Sequence, residues 1–245
     1  MDTLIDFHSH ILPGIDDGST SPAESVALLR MEAQQGISHV VLTPHFHALD
    51  ENPESFLRRR AESEAALERE MGQEKELPAV YVGAEVAYFH GISESESVRQ
   101  LAVVGGNSIL IEMPPAPWPE TAYAELEQIR HNWGVIPVIA HIDRYIRPFR
   151  TYGIPKRLTQ LPVLVQANAS FFLRPGTSAM AMRMLKKDQI HLLGSDCHNM
   201  TGRKPNLGAA ADRIRKKLGQ EAILRICAHQ HRVLAISENT PPLEE

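Results

Sequence analysis

The sequence lacks the features that mark secreted and membrane-spanning proteins. Two of its 245 residues are cysteines, too few for a disulfide framework, and such low usage suits a reducing compartment. No apolar stretch approaches the roughly 18 residues of a membrane span. Asp2 and Asp6 flank the first apolar residues, so we expect no signal segment there. These absences predict a cytoplasmic protein without membrane insertion.

Positive charge is also scarce. Lys and Arg number 25 against 30 Asp and Glu, which gives a net charge of -5 at pH 7 and a pI near 6.2. Binding to nucleic acid or to an anionic membrane normally needs a cationic face. We therefore expect no nucleic-acid partner, although one or two local arginines would still suffice for a small anionic substrate.

Short apolar runs alternate with helical segments along the chain. The runs at 4–7, 40–43, 79–82, 109–111, 135–140, 163–165 and 190–193 are typical of buried strands. Helix signals cover 22–35, 52–72, 119–132, 176–188, 206–218 and 220–236. Seven such units without a linker predict one α/β domain over 1–245, folded as a closed or nearly closed β/α barrel, with a frayed tail at about 238–245.

Nearly every predicted strand ends in a residue type that binds metals. These residues are His8, His10, His45, Glu85, Glu112, His141, Asp196 and His198. One H-x-H or D-x-H pair is common by chance, but the carboxyl ends of barrel strands converge on one rim. Without a cation, the carboxylates gathered there would repel one another. The pattern predicts a centre of two or three divalent ions at this rim, and mixed oxygen and imidazole ligands suit Mn, Fe or Zn.

Other acids and histidines have several interpretations. The loop 13–18 carries Asp16 and Asp17, which form either an ordinary turn or, for Asp17, a carboxylate reaching back over the rim. Asp6 either orients an imidazole or belongs to a core ion pair. The remaining histidines are expected away from the metals: His39, His47, His90, His131, His191, His229 and His231.

Cys197 has two interpretations. Its spacing to Arg203 is C-x5-R, the arrangement of cysteine-dependent phosphatases, but one such match is expected by chance. A thiolate cradle also needs glycine-rich backbone that opens a helix, and the next clear helix starts near Asn206. Because side chains alternate along a strand end, Cys197 should point away from Asp196 and His198. We predict a small packed residue there.

Together, the motifs DFHSHILPGIDDG, TPH, GAE, IE, IAHIDRY and GSDCHNMTGR, in this order, resemble the polymerase and histidinol phosphatase (PHP) superfamily. They are most similar to its bacterial branch of manganese-dependent tyrosine phosphatases linked to capsular and exopolysaccharide synthesis. The resemblance implies a distorted (β/α)7 barrel with a trinuclear metal centre. It implies nine ligands, namely His8, His10, Asp17, His45, Glu85, Glu112, His141, Asp196 and His198. It also assigns phosphate binding to Arg144 and Arg203. The chain departs from the family pattern at Cys197, where apolar residues are usual, and in the loop after Pro114.

The predicted function is hydrolysis of phosphotyrosine on proteins by attack of a metal-bound hydroxide, with Arg144 and Arg203 holding the phosphoryl oxygens. The resemblance implies an autophosphorylating tyrosine kinase of polysaccharide export as partner. A small-molecule phosphatase such as histidinol phosphatase would share the rim, and a metal-stabilised phosphotyrosine-binding scaffold is the alternative without turnover. A nuclease is disfavoured because no cationic track is present, and an amidohydrolase because no lysine ends a central strand. The helix at 22–35 is long enough to join copies of the chain as a homo-oligomer.

Overall fold

The structure, a computed structural model, describes residues 4–72, 74–115, 117–146 and 153–234. In this part of the chain the strands are β1 (Leu4–Ser9), β2 (Ile37–Leu42), β3 (His45–Phe46), β4 (Ala79–Val82), β5 (Glu85–Ala87), β6 (Ser108–Glu112), β7 (Ile136–Ile139), β8 (Leu164–Asn168) and β9 (Leu192–Gly194). The helices are α1 (Pro22–Gln34), α2 (Pro53–Met71), α3 (Ser97–Leu101), α4 (Glu120–Trp133), α5 (Gly153–Leu158), α6 (Ala169–Leu173), α7 (Ser178–Lys186), α8 (Leu207–Leu218) and α9 (Gln220–Val233). Ile92–Glu94 and Ile142–Arg144 form 3-10 turns.

The strands are parallel and curl into a half-barrel. One sheet has the order β1-β2-β4 and the other β3-β5-β6-β7-β8-β9. Because β3 continues β2 and β5 continues β4 after two-residue breaks, the nine strands occupy seven positions. The predicted distorted (β/α)7 barrel is confirmed, and each predicted apolar run overlaps a strand.

Backbone contacts join the two edges of the half-barrel beside the strand ends. Asp196 N donates to His8 O at 2.8 Å, and His10 N donates to Cys197 O at 2.9 Å. Gly194 permits this approach, since a Cβ there would lie 2.5 Å from His8 Cβ. The ends of β1 and β9 are thereby held side by side.

Local signals in the sequence account for the long helices. Ser21 Oγ accepts a hydrogen bond from Glu24 N at the start of α1, and Asn52 Oδ1 accepts one from Ser55 N at the start of α2. A proline follows each cap at the first helical position. The helices α3, α5 and α6 were not predicted, because five or six residues are too few to show a helical period.

Two clusters of buried hydrophobic residues form the core. The larger packs the helices on the sheet. The smaller draws on several strands and consists of Ile5, Phe7, Val41, Val103, Leu110, Val138, Ala140, Leu192, Val233 and Leu234. Such a cluster is the packed interior of a β/α barrel, which leaves the strand ends as the place for a site. No helix in the described ranges combines the length and apolar character needed to cross a bilayer.

Candidate metal centre

The first strand brings two imidazoles together above the barrel interior. His8 and His10 are two residues apart on an extended segment, and their Nε2 atoms lie 3.1 Å from each other. Oε2 of Glu85, the first residue of β5, lies 3.2 Å from His8 Nε2 and 3.3 Å from His10 Nε2. All three side chains are buried.

Glu85 is the centre of the cluster. Its Oε2 also lies 3.0 Å from Nδ1 of His45, the first residue of β3. Its Oε1 lies 2.8 Å from Nε2 of His141, which follows β7. Glu112, at the end of β6, lies 3.2 Å from the same His141 nitrogen. One buried carboxylate is therefore surrounded by four imidazoles from three strand positions.

The outer part of the cluster combines the loop after β1 with the segment after β9. Asp17 Oδ1 lies 3.3 Å from His198 Nε2 and 3.5 Å from His45 Nε2. Asp196 Oδ1 lies 3.6 Å from His10 Nε2. Asp17 is exposed, whereas Asp196 and His198 are buried. The turn interpretation of Asp17 is thus incomplete, because its carboxylate reaches back to the rim.

The nine predicted ligand residues meet at this rim, and their chemistry fits divalent cations. Three buried atoms of the cluster form no hydrogen bond of good geometry although each has a neighbour of opposite charge at 3.0–3.3 Å, namely His45 Nδ1, Glu85 Oε2 and His198 Nε2. Among the described residues, four sets have ligand atoms within 4.8 Å of one another, and three of them belong to this rim: His10, Asp17, His45 and His198; His8, His10 and Glu85; and His45, Glu85 and Glu112. The fourth set, Asp6, Glu32 and Cys197, lies behind the cluster. Unpaired donor atoms at such separations are what shared metal ions would satisfy.

The ionised carboxylates of the rim favour positive charge on the groups around them. Burial by itself would lower the pKa of His10 and His141, but hydrogen bonds to Asp16 and to Glu112, respectively, outweigh it and raise these pKa values to about 10 and about 9. Burial acts to raise the pKa of Asp196, yet the charges of the β1 imidazoles lower it to about 2. The carboxylates stay ionised and hold protons on their neighbours. Metal ions compete for the same nitrogen atoms.

Asp16 is a residue of the cluster to which the sequence assigns no role beyond an ordinary turn. Its Oδ2 lies 2.8 Å from His10 Nδ1 and also accepts a hydrogen bond from His45 N, while Oδ1 accepts one from Gly18 N. A carboxylate on Nδ1 fixes the tautomer of His10 and turns Nε2 toward Glu85. Asp16 and Asp17 are adjacent in one turn, and the sequence has no signal that separates their roles.

Amide side chains at the end of β8 complete the rim. Gln166 Oε1 lies 3.3 Å from His8 Nδ1 and accepts a hydrogen bond from His141 N. Asn168 Nδ2 donates to Asp196 Oδ2 at 2.9 Å. This sixth strand position carries no acid or imidazole, so the sequence did not predict that it contributes to the site. Its position between two strands that end in predicted ligands could have indicated that it does.

Two of the predicted ligand residues have a positive φ, a backbone conformation that residues other than glycine rarely adopt. His141 has a φ of 30° and Asp196 a φ of 54°. Such conformations cost on the order of 1–3 kcal/mol each and persist where the surroundings over-determine them. The contacts that His141 and Asp196 make within the cluster are the surroundings that maintain these conformations.

The two arginines that are predicted to bind phosphate form ion pairs with acids of the rim. Arg144 donates from Nη1 to Glu112 Oε1 and from Nη2 to Asp196 Oδ2, both at 2.9 Å. Arg203 Nη2 donates to Asp196 Oδ1 at 2.8 Å. Each side chain is 41% exposed, so both guanidinium groups are open to a ligand as well.

Cys197 is a packed residue, as the alternation along the strand end predicts. Its side chain is fully buried, and Sγ lies 4.0 Å from Glu32 Oε1. Burial raises the pKa of the thiol well above its ordinary value, and the Glu32 and Asp6 carboxyls add to the effect. A buried neutral thiol is not a nucleophile, which disfavours the C-x5-R interpretation.

Asp6 fits neither interpretation offered for it. Its Oδ1 accepts hydrogen bonds from His8 N at 3.1 Å and Ser195 N at 2.8 Å, so it holds backbone rather than an imidazole ring. Its carboxyl neighbour is Glu32, an acid rather than the base of an ion pair. Asp6 fixes the ends of β1 and β9 from behind the cluster.

A comparison with known protein families shows to which family the chain belongs. The family model for capsular polysaccharide synthesis, CpsB/CapC, matches residues 4–234. The chain belongs to the CpsB/CapC family. The resemblance drawn from the short strand-end motifs is thereby confirmed.

Two curated relatives match over most of their length. Tyrosine-protein phosphatase YwqE of Bacillus subtilis is 29% identical over 232 residues, covering 89% of this chain and 86% of the relative. Tyrosine-protein phosphatase CpsB of Streptococcus pneumoniae is 28% identical over 229 residues, covering 88% and 91%. Both of these relatives are thus named as tyrosine phosphatases.

Solved structures agree with this assignment. A structure from work on YwqE and S. pneumoniae CpsB, described as unique metal-dependent tyrosine phosphatases, superposes with a TM-score of 0.80 at 25% identity, covering 95% of this chain and 94% of that one. L-Hydantoinase from Arthrobacter aurescens matches with a TM-score of 0.59 at 12% identity, covering 96% and 71%. The second match shows a shared barrel fold alone.

Proposed function

We propose that this CpsB/CapC protein is a metal-dependent phosphatase that hydrolyses phosphotyrosine in proteins. The observation that carries the proposal is the convergence of nine ligand-type side chains at one rim, four of whose imidazoles contact Glu85, in a chain whose relatives are named tyrosine phosphatases. These relatives favour the predicted tyrosine phosphatase over histidinol phosphatase and over a scaffold without turnover.

The cofactor proposed is two or three divalent ions, with manganese first and iron or zinc as alternatives. The residues that would hold them are His8, His10, Asp17, His45, Glu85, Glu112, His141, Asp196 and His198. When bound, such ions neutralise the charge of a phosphate monoester and acidify water near neutral pH. Mixed carboxylate and imidazole ligands without a thiolate support this choice of metals.

Arg144 and Arg203 are proposed to bind the phosphate. Arg144 donates to one oxygen of Asp196 and Arg203 to the other, so a phosphoryl group beside Asp196 would receive donors from both guanidinium groups. The planar arginine fork matches phosphate oxygens, and its charge stabilises the phosphoryl group as bonds change. Exposure of both side chains leaves room for a tyrosine on a protein to approach.

Asp16 is proposed to keep a proton on His10 Nδ1. With that nitrogen protonated, the lone pair of His10 lies on Nε2, which faces Glu85. Gln166 has the corresponding place at His8 Nδ1. Both residues prepare imidazoles as ligands without contacting the substrate.

The biological setting follows from the family description. We propose a role in capsular or exopolysaccharide synthesis, with the partner an autophosphorylating tyrosine kinase of polysaccharide export. The two cysteines in the described ranges are buried and form no disulfide, which supports the cytoplasmic location proposed from the sequence.

Turnover of p-nitrophenyl phosphate by metal-depleted protein, with and without added Mn²⁺, tests the proposal. We expect hydrolysis that depends on the metal and a higher kcat/KM for a phosphotyrosyl peptide than for histidinol phosphate. Glu85→Gln is the variant that should lose Mn²⁺-dependent turnover, and Glu74→Gln, on the exposed surface, is its control. Binding of the peptide without turnover would instead support the scaffold, and a preference for histidinol phosphate would support the small-molecule enzyme.

A further inference from the structure

A pocket beside the phosphate arginines contains more positive charge than a phosphate requires. It has a volume of about 430 Å³, within the roughly 300–1,000 Å³ typical of ligand sites. Its lining includes Arg144 and Arg203 together with two further cations, Arg174 and Lys204. Arg174 follows α6, and Lys204 lies in the loop between β9 and α8.

The two further cations differ from the phosphate arginines in their partners. Arg144 and Arg203 are each paired with acids of the metal rim. Arg174 and Lys204 are exposed, and neither makes an ion pair with any residue in the described ranges. Two of the four cations in the lining are thus paired with acids, and the other two, Arg174 and Lys204, are not paired within the described part of the chain.

The other walls of the pocket favour an anion that carries hydrogen-bond acceptors. Ser170, Thr201 and Asn206 contribute hydroxyl and amide groups to the lining. The acids in the lining are Asp143 and Asp196, and both oxygens of Asp196 already accept from arginines. Because acids pair with Arg144 and Arg203, the positive charge left unbalanced in the lining is that of Arg174 and Lys204.

We propose that Arg174 and Lys204 form an acidic-residue subsite that binds Asp or Glu side chains flanking the phosphotyrosine of a protein substrate. The inference rests on the proposed phosphatase function. With the phosphate at Arg144 and Arg203, residues that flank the phosphotyrosine would lie in the same pocket as Arg174 and Lys204. The free cations there remain hydrated, so they attract carboxylates without a burial penalty, and salt screens the attraction.

The test compares two phosphotyrosyl peptides that differ only in their flanking residues, Asp and Glu in one and Ala and Gln in the other. The variant Arg174→Gln/Lys204→Gln removes the subsite charges. The control Lys216→Gln/Lys217→Gln removes two exposed charges from the last turn of α8 and so matches the change in net charge. The readouts are the ratio of kcat/KM for acidic over neutral peptide, and the ratio of their Kd values by fluorescence anisotropy.

Exposed charge pairs contribute little singly, so the expected fall in both ratios is roughly three- to tenfold for the subsite variant at low salt. The control variant should change the ratios by less than about twofold, and 0.5 M salt, which shortens the Debye length to about 4–5 Å, should abolish the difference. Equal ratios in wild type and subsite variant would overturn the subsite. The same fall in the control would also overturn it, because the effect would then be general electrostatics. If wild type hydrolyses neither p-nitrophenyl phosphate nor peptide, the proposed phosphatase function fails, and the anisotropy ratios still decide the subsite.

Discussion

Replacing Asp16 with asparagine tests how the ligand imidazoles are prepared for metal. Asp16 Oδ2 contacts His10 Nδ1 at 2.8 Å, and Oδ1 accepts from Gly18 N at 3.0 Å. Asparagine has the same shape but one acceptor oxygen, and its other atom is an amide nitrogen that donates. If the amide nitrogen faces Gly18 N, that hydrogen bond is lost; if it faces His10, Nδ1 can only accept, and the proton of His10 must move to Nε2. The variant therefore changes the bonding without removing volume.

The magnitude follows from the electrostatics of Asp16. Burial acts to raise its pKa, but the hydrogen bond and charge of His10, with two backbone donors, lower it from 3.8 to about 2. At about 1.4 kcal/mol per pKa unit, the ionised carboxylate contributes about 2 kcal/mol to the metal-free fold. Because the folded pKa is depressed, this stability is present above pH 4 and is lost as pH falls toward 2. A carboxylate that orients a ligand histidine typically changes metal affinity or activity roughly 10- to 100-fold.

The assay is activity of metal-depleted protein titrated with Mn²⁺, together with urea unfolding of the metal-free form. For Asp16→Asn we expect a roughly 10- to 100-fold rise in the Mn²⁺ concentration for half-maximal activity, and a loss of about 2 kcal/mol in unfolding free energy at pH 7. Asp50→Asn, on an exposed loop residue, is the control and should match wild type. An unchanged Mn²⁺ requirement in Asp16→Asn would refute the idea that Asp16 prepares His10.

Three other predictions concern separate parts of the molecule. Arg203→Ala should lower kcat/KM for a phosphotyrosyl peptide roughly 10- to 100-fold, because a charged hydrogen bond to the phosphate is lost, and Arg203→Lys should recover part of the activity. Equal activity in wild type and both variants would show that Arg203 does not bind the phosphate. Cys197→Ser should keep most activity while a chelator abolishes it, and the reverse pair of results would point to a cysteine nucleophile. Burial and the neighbouring His229 lower the pKa of His191 to about 4, below the ordinary 6.5, so the unfolded chain takes up this proton first and folding stability should fall by about 3 kcal/mol as pH drops from 6.5 to 4. His191→Gln should flatten that slope in urea titrations at several pH values, and an unchanged slope would contradict the assignment.

The strand ends were predictable because two independent patterns coincide there. An apolar run shows where a buried strand lies, and a polar residue that closes the run must be satisfied at the barrel rim. His141 illustrates the point, since it follows the run 135–140 and contacts both Glu85 and Glu112. The caps at Ser21 and Asn52 were readable for a similar reason, because a cap is a contact between near neighbours in sequence.

The residues that support the ligands were not predictable, because their contacts join distant parts of the chain. Gln166 meets His8 across 158 positions, and nothing in its local sequence marks it. Asp16 and Asp17 share one turn, and the bend that sends one to His10 Nδ1 and the other to His198 arises in the folded loop. The interpretation of 1–245 as one domain stays a prediction, and the expected tail at 238–245 lies outside the described residues.

The most direct test of the metal centre is the metal content of the purified protein after depletion and reconstitution with Mn²⁺, measured by elemental analysis on wild type and Glu85→Gln. Glu85 contacts four imidazoles, so its loss should affect more than one ion. We predict two or three Mn²⁺ per wild-type chain and at least one fewer in Glu85→Gln, with turnover following the content. Less than one ion per wild-type chain, or full content in the variant, would contradict a metal centre organised around Glu85.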